Sequence, residues 1–184
     1  YSLNSFYKIS NLLNLKILKY NFVKRYNGNI RVFLGFSSVH TNSKMKIDLY
    51  EEKKIIRNMK NFQKIVNKWK LNKKLFLQKL TKKFGPLPAK AFPGRASIII
   101  NLLGLDKNTI SNVYEKNFSL KTNKFVPGTN IKILKEKYFD HKERKKGIII
   151  NLAWHISSEI KDYLKKNLKF NGKVIDIISK KDFK

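Results

Sequence analysis

The run Gly147-Ile148-Ile149-Ile150-Asn151-Leu152 constrains the fold more than any other stretch of the chain. Side chains on a strand point alternately to opposite faces, so three consecutive isoleucines require that both faces be covered. Downstream, Ser157 to Leu168 is amphipathic through Ile160, Tyr163, Leu164 and Leu168 and stops before Asn171-Gly172. Val174 to Ile178 reads as a last strand. Upstream, Leu87 to Phe92 and Asn112 to Glu115 are candidate strands, and Ile131 to Leu134 is either a third or a loop. Strand and helix alternating across short connections predict a small parallel sheet covered by helices.

Between the first two strands lies Pro93-Gly94-Arg95-Ala96-Ser97-Ile98-Ile99-Ile100-Asn101-Leu102-Leu103-Gly104-Leu105. Gly94 permits a tight turn, Arg95-Ala96-Ser97 form a first helical turn, and Gly104 takes the position after the last. The start of such a helix offers unpaired amides and a positive dipole end, so it suits an anion. Arg95 and Ser97 add donors there, which points to a pocket for a phosphate or carboxylate. A buried helix after a tight turn fits the same spacing.

In parallel sheets ligands collect beyond the carboxyl ends of strands. That rule gathers Gly94-Arg95, the region after Glu115, and Trp154-His155 at one edge. The segment Lys121 to Thr129, with Lys121, Lys124 and the rigid turn Pro127-Gly128-Thr129, is expected to join them. His155 reads either as a helix start or as a titrating group, and no second titratable partner is identifiable from sequence.

The first third of the chain has a different character. Ser2 can cap a short helix carrying Leu3, Phe6, Tyr7, Leu12 and Leu13. Leu18, Tyr20 and Phe22 alternate with polar residues, as do Ile30, Val32 and Leu34, and Tyr26-Asn27-Gly28-Asn29 between them predicts a hairpin turn. Two strands alone bury too little to stand by themselves. Gly35 to Lys46 reads as a linker. From Asp48 to Lys83 there is no Pro or Gly, and Ile55, Ile56, Met59, Phe62, Ile65, Val66 and Trp69 recur at helical spacing. Asp48, Glu51 and Glu52 suit a helix start, and one helix over that length would run roughly 50 Å. A break is expected near Leu71-Asn72.

Composition narrows the function classes. The chain has no cysteine, hence no disulfide, thiolate nucleophile or cysteine zinc site, and its three histidines (His40, His141, His155) are widely spaced. No stretch of about 20 apolar residues exists, so no membrane span is expected. The chain opens on Tyr1-Ser2-Leu3 without a signal sequence and reads as a piece of a longer, cytoplasmic protein. A net charge of +29 invites a nucleic-acid reading. The excess is nearly all lysine, with only Arg25, Arg31, Arg57, Arg95 and Arg144, and it is scattered from end to end. Solvated lysine faces are therefore favoured over a dedicated phosphate-backbone surface, and a basic nucleic-acid-binding protein remains the alternative.

Several blocks carry a resemblance. These are Pro93-Gly94-Arg95-Ala96-Ser97, Asn101, Gly104-Leu105, Glu115 with Ser119-Leu120-Lys121, Lys124-Phe125-Val126-Pro127-Gly128-Thr129-Asn130-Ile131, Leu152-Ala153-Trp154-His155 with Glu159-Ile160, and Gly172-Lys173. In this order they resemble the C-terminal domain of S-adenosylmethionine-dependent sugar C-methyltransferases, which methylate a carbon of a nucleotide-linked keto-deoxysugar. Tyr1-Ser2-Leu3 and Tyr26 to Val32 resemble the last helix and hairpin of the methyltransferase domain that precedes it in the family.

The resemblance implies an α/β fold: a small Rossmann-like parallel sheet flanked by helices. Ahead of it stand a helix and β-hairpin from the end of a methyltransferase domain, then a long connecting helix. It implies three segments: 1–36 from that domain, 37–83 linker and connecting helix, and 84–184 the Rossmann-like domain. It also implies that Gly94, Arg95, Ala96 and Ser97 line an anion-binding turn. Lys121, Pro127, Gly128, Thr129, Trp154 and His155 line the rest of the substrate crevice, and Asn29 and Arg31 lie on the methyltransferase side. The partners implied are a nucleotide-linked sugar and the upstream methyltransferase domain. S-adenosylmethionine and zinc belong to the upstream domains, because the family's glycine-rich cofactor loop, cysteine ligands and catalytic Glu-His pair do not occur in this chain. The chain is then expected to be inactive alone. Two departures stand out: Pro86 and Pro88 crowd a strand, and Lys145-Lys146 replaces an acidic-proline stretch.

Overall fold

A computed structural model describes residues 1–24, 28–36, 38, 54 and 58–183. The chain divides into two compact units, Tyr1–Lys64 and Ile65–Lys184.

In the first unit, α1 (Leu3–Leu12) starts at Ser2, whose hydroxyl accepts from the Ser5 amide while the Ser5 hydroxyl accepts from the Ser2 amide. This reciprocal pairing satisfies two amides at the helix start. Strands β1 (Leu15–Val23) and β2 (Asn29–Phe36) form the expected antiparallel hairpin, with Tyr20 opposite Val32 and Phe22 opposite Ile30. The register slips between Ile17 and Lys19. Leu18, at that bulge, reaches over Gly35, where a Cβ would collide with it. Tyr26-Asn27 of the expected turn, most of the 35–46 linker and the acidic helix start at Asp48, Glu51 and Glu52 lie outside the described residues.

Helix α2 (Met59–Phe84) runs for 26 residues. The break expected near Leu71-Asn72 does not occur. Trp69, Lys73 and Leu77 are buried at successive turns on one side, with Val66, Leu80 and Phe84 packed in line. A continuous buried stripe holds the helix straight through Asn72, which faces outward and imposes nothing on the backbone.

The second unit is built on β3 (Leu87–Lys90), β4 (Ile110–Glu115), β5 (Lys124–Phe125), β6 (Lys132–Lys135), β7 (Ile148–Asn151) and β8 (Lys173–Asp176). Helix α3 (Ala96–Leu103) joins β3 to β4, the short α4 (His141–Lys145) precedes β7, and α5 (Ser157–Leu168) joins β7 to β8. The sheet order is β5-β6-β4-β3-β7-β8, with β5 antiparallel and every other pair parallel. Counting only parallel strands, the order is third, second, first, fourth, fifth, which is the Rossmann-like arrangement.

Successive residues take opposite sides of this sheet. Ile148 and Ile150 join α2 and α3 in one core, while Ile149 joins Leu164 and Ile160 of α5 in the other. The same division separates Val113 from Tyr114 and Ile175 from Val174. The three isoleucines are thus covered on both faces, as their run requires. Pro88 fits the central strand because the β3–β7 ladder begins at Ala89, and the β3–β4 register shifts between Leu87 and Ala89. The missing proline donor falls where no ladder bond is due. β5 corrects the expectation of a plain loop over Lys121 to Thr129, and residues Lys132–Lys135 decide for a strand over a loop. No helix among the described residues is long and apolar enough to cross a membrane.

Candidate functional site

The strand order reverses between β3 and β7, and the crevice beyond their carboxyl ends is where such sheets bind ligands. Four contacts shape its β3 wall. Leu152 donates its amide to the Lys90 carbonyl (3.0 Å), and Ala91 donates to the Tyr114 carbonyl (3.0 Å). Ala91 itself has a φ of 65°, a left-handed step that swings the chain out of the sheet. The Phe92 peptide is then clamped on both sides: its amide donates to the Glu115 carboxylate and its carbonyl accepts from the Lys121 ammonium (2.7 Å).

The clamp aims the turn that follows. Ala96 donates to the Pro93 carbonyl (2.8 Å), and the Ser97 hydroxyl donates to the Gly94 carbonyl (3.2 Å). Arg95 occupies the position before α3 in helical conformation, exposed and giving no side-chain cap, while Ala96 is fully buried against the core. At the other end Gly104 closes α3 with a φ of 61°, as its place in the sequence predicts.

The β7 wall rests on Asn151, fully buried at the end of its strand. Its side-chain Oδ1 accepts from the Ala153 amide (2.9 Å) and its side-chain Nδ2 donates to Asp176 (2.7 Å). Asp176 also accepts from the Ser157 hydroxyl (2.8 Å) and pairs with Lys161 (3.3 Å). These bonds fix the one-turn 3-10 helix Trp154–Ile156 between the two anchor points. Trp154 packs on the α2–α3 core, and its ring meets His155 edge-on at 5.7 Å. Burial holds the His155 imidazole below its ordinary pKa, the Arg95 charge lowers it further, and Glu159 opposes both. The α3 start follows β3 and the Trp154–Ile156 turn follows β7, so both lie beyond the carboxyl ends of two adjacent parallel strands.

The fold therefore brings Gly94, Arg95, Ala96, Ser97, Trp154 and His155 to one edge, with Lys121 held beside them. It does not bring Pro127, Gly128 and Thr129 there. β5 runs antiparallel to β6 and carries the chain back across the sheet, so this turn precedes β6 at the amino edge. It lies beside Leu105–Asn108, the loop leading into β4. Its groups serve the turn: Thr129 donates to the Val126 carbonyl (3.0 Å) and accepts from Ile131 (3.2 Å). Asn101 ties Pro127 to α3 by donating to its carbonyl (2.9 Å), and Gly128 (φ 77°) leaves the space that Asn101 fills. The expectation of a cleft shared by Gly94, Thr129 and Trp154 is corrected on this point, because a two-residue strand reverses the chain. Asn29 and Arg31 are exposed on β2 in the first unit.

Sequence reasoning gave no role to the residues that orient the crevice: Glu115, Asn151, Ser157 and Asp176. One signal was present, a polar residue closing each apolar strand run: Glu115, Asn151 and Asp176 end β4, β7 and β8. No group of three or more His, Asp or Glu that could hold a metal ion occurs among the described residues.

No curated protein matches the chain. One family profile, that of the C-methyltransferase C-terminal domain, matches residues 27–178. That span takes in β2, the long helix, every strand of the sheet and both walls of the crevice. A match of that length, over a mostly parallel sheet of Rossmann-like order, makes the chain a member of the C-methyltransferase C-terminal domain family.

Proposed function

We propose that this chain is the C-terminal part of an S-adenosylmethionine-dependent C-methyltransferase acting on a nucleotide-linked keto-deoxysugar, and that it holds the anionic part of that substrate. The observation that supports the reading is that the α3 start and the Trp154–Ile156 turn follow adjacent parallel strands on the two sides of the switch point. Backbone amides at Gly94 and Ser97 and the Arg95 guanidinium would meet a diphosphate, since a helix start and a planar fork of donors both favour phosphate oxygens; the Ala96 amide is already given to the Pro93 carbonyl. His155, kept neutral beside Arg95, would accept or donate one hydrogen bond without adding charge. Lys121 supports the turn through the Phe92 carbonyl rather than meeting the substrate.

The β3–α3 turn does not fit S-adenosylmethionine. It has the single glycine Gly94, Arg95 follows at once, and the Glu115 carboxylate, which could have met a ribose, already accepts from the Phe92 amide. The donor would be held by a methyltransferase domain of the same polypeptide, with Asn29 and Arg31 on that side, and zinc by a further domain, leaving this chain inactive alone.

Calorimetry with a dTDP-linked sugar tests the assignment. Arg95→Ala is expected to weaken binding at least tenfold and Thr129→Ala to leave it unchanged. Heat unaffected by Arg95→Ala counts against the turn as the anion site.

A further inference from the structure

The sheet has two outer edges, and they are finished differently. At one, β5 pairs with β6. At the other, among the described residues, β8 pairs with β7 alone. Lys173 donates to the Gly147 carbonyl and Ile177 to that of Asn151, so odd-numbered residues face β7. The backbone groups of Val174 and Asp176 therefore face away from the sheet.

They face a groove of about 720 Å³ bordered by α2 through Trp69, Lys73 and Phe76. Five lysines and two aspartates line it, an excess of three positive charges. Lys73 and Lys161 are matched by Asp182 and Asp176. Lys173, Lys180 and Lys181 carry the excess. Trp69 is buried, and its indole N–H has no hydrogen-bond partner.

The 3-10 turn Lys180–Phe183 forms one wall of this groove. Asp182 reaches the nearly buried Lys73 ammonium at 2.8 Å, and Phe183 stacks on Trp69 with centroids 5.9 Å apart and planes 26° from parallel. The turn is thus fixed to α2 by an ion pair and a ring stack, which leaves Lys180 and Lys181 exposed on the groove.

We propose that the groove between α2 and β8 binds an extended acidic peptide of a partner protein, which pairs with Val174 and Asp176 as an added strand. Main-chain bonds to an open edge supply affinity, and side-chain chemistry along the groove supplies selectivity. The lysine excess selects carboxylates, and the Trp69–Phe76 side selects an aromatic or apolar residue between them. A second copy of the chain is disfavoured as occupant, because two molecules of charge +29 would meet at a basic surface.

The test is fluorescence anisotropy of the 184-residue chain with a labelled hexapeptide alternating Asp and Phe, at low and high salt. Saturable binding weakened about tenfold by K180E/K181E supports the proposal. Val174→Pro removes an outward donor while leaving the β7 ladder intact, and a comparable loss with unchanged circular dichroism supports strand addition. Absence of saturable binding overturns it, and the lysines then only keep a bare edge from pairing. Binding insensitive to both variants overturns it, as does preference for an oligothymidylate that K180E/K181E weakens and Val174→Pro does not. A dimer by light scattering that Val174→Pro dissolves gives the groove to a second copy and likewise overturns it.

Discussion

The hairpin and the α/β sheet start from similar strands and end in opposite states. β1 and β2 alternate apolar and polar residues, yet no position in either is buried, and Phe22 and Phe36 remain 75% and 73% exposed. β3 and β7 are buried at every position, Pro88, Lys90 and Asn151 included. Strand hydrophobicity does not separate the two regions; covering layers do. A half-covered ribbon leaves its phenylalanines in water, whereas helices on both sides of a sheet bury even an ammonium.

That ammonium shows what complete covering demands. Lys90 ends the central strand, and its Nζ lies 2.7 Å from Glu136, which also accepts from the Tyr163 hydroxyl at 2.7 Å. The Tyr163 ring lies 5.0 Å from the Lys90 Nζ. A buried charge is tolerated because its partner and that partner's remaining oxygen are both bonded.

The contrast can be broken most sharply at Ile150. Ile150→Ala should cost about 3 to 4 kcal/mol by leaving a cavity between sheet and helices, read by urea denaturation with tryptophan fluorescence. Both tryptophans, Trp69 and Trp154, lie in the second unit, so the signal reports that unit.

Glu136→Gln should cost somewhat less, about 2 kcal/mol, since the amide keeps a hydrogen bond but leaves the Lys90 charge without its counter-charge. A cost near zero would mean that water reaches Lys90 and that the covering is looser than its burial implies.

A smaller effect comes from His155. Its native pKa is lowered, so the unfolded chain takes up the proton at higher pH than the folded one. The stability this confers is complete above the ordinary histidine value of about 6.5 and is lost as pH falls through the lowered native value. Melting temperatures at pH 8 and pH 5 should differ more for the wild type than for His155→Gln.

The smallest effect is expected in the hairpin. Phe22→Ala should shift the tryptophan-detected transition by less than about 0.5 kcal/mol. A cost approaching that of Ile150→Ala would show that β1 is covered in solution, and would erase the contrast.

Much of the second unit was legible from residue order. Three consecutive isoleucines required a doubly covered strand, Gly104 marked the left-handed end of α3, and the Ser157–Leu168 stripe gave α5 at the boundaries it adopts. These are local matters of periodicity and permitted dihedral angles. The crevice was half legible. The strand-end rule placed Arg95 and His155 together, but the Pro127–Thr129 turn was assigned to the wrong edge. Direction along a sheet depends on whether each segment pairs parallel or antiparallel, and Lys124–Phe125 is too short to announce its pairing.

The sequence by itself determined most of the longer strands and helices and which side of each is apolar, because those follow from side-chain spacing along one element. Tertiary structure decided which edge each loop reaches, that Lys121 spends its ammonium on the Phe92 carbonyl, and that β8 keeps an open side. Each of these is a contact between residues far apart in the chain, made available only when the strands take their order.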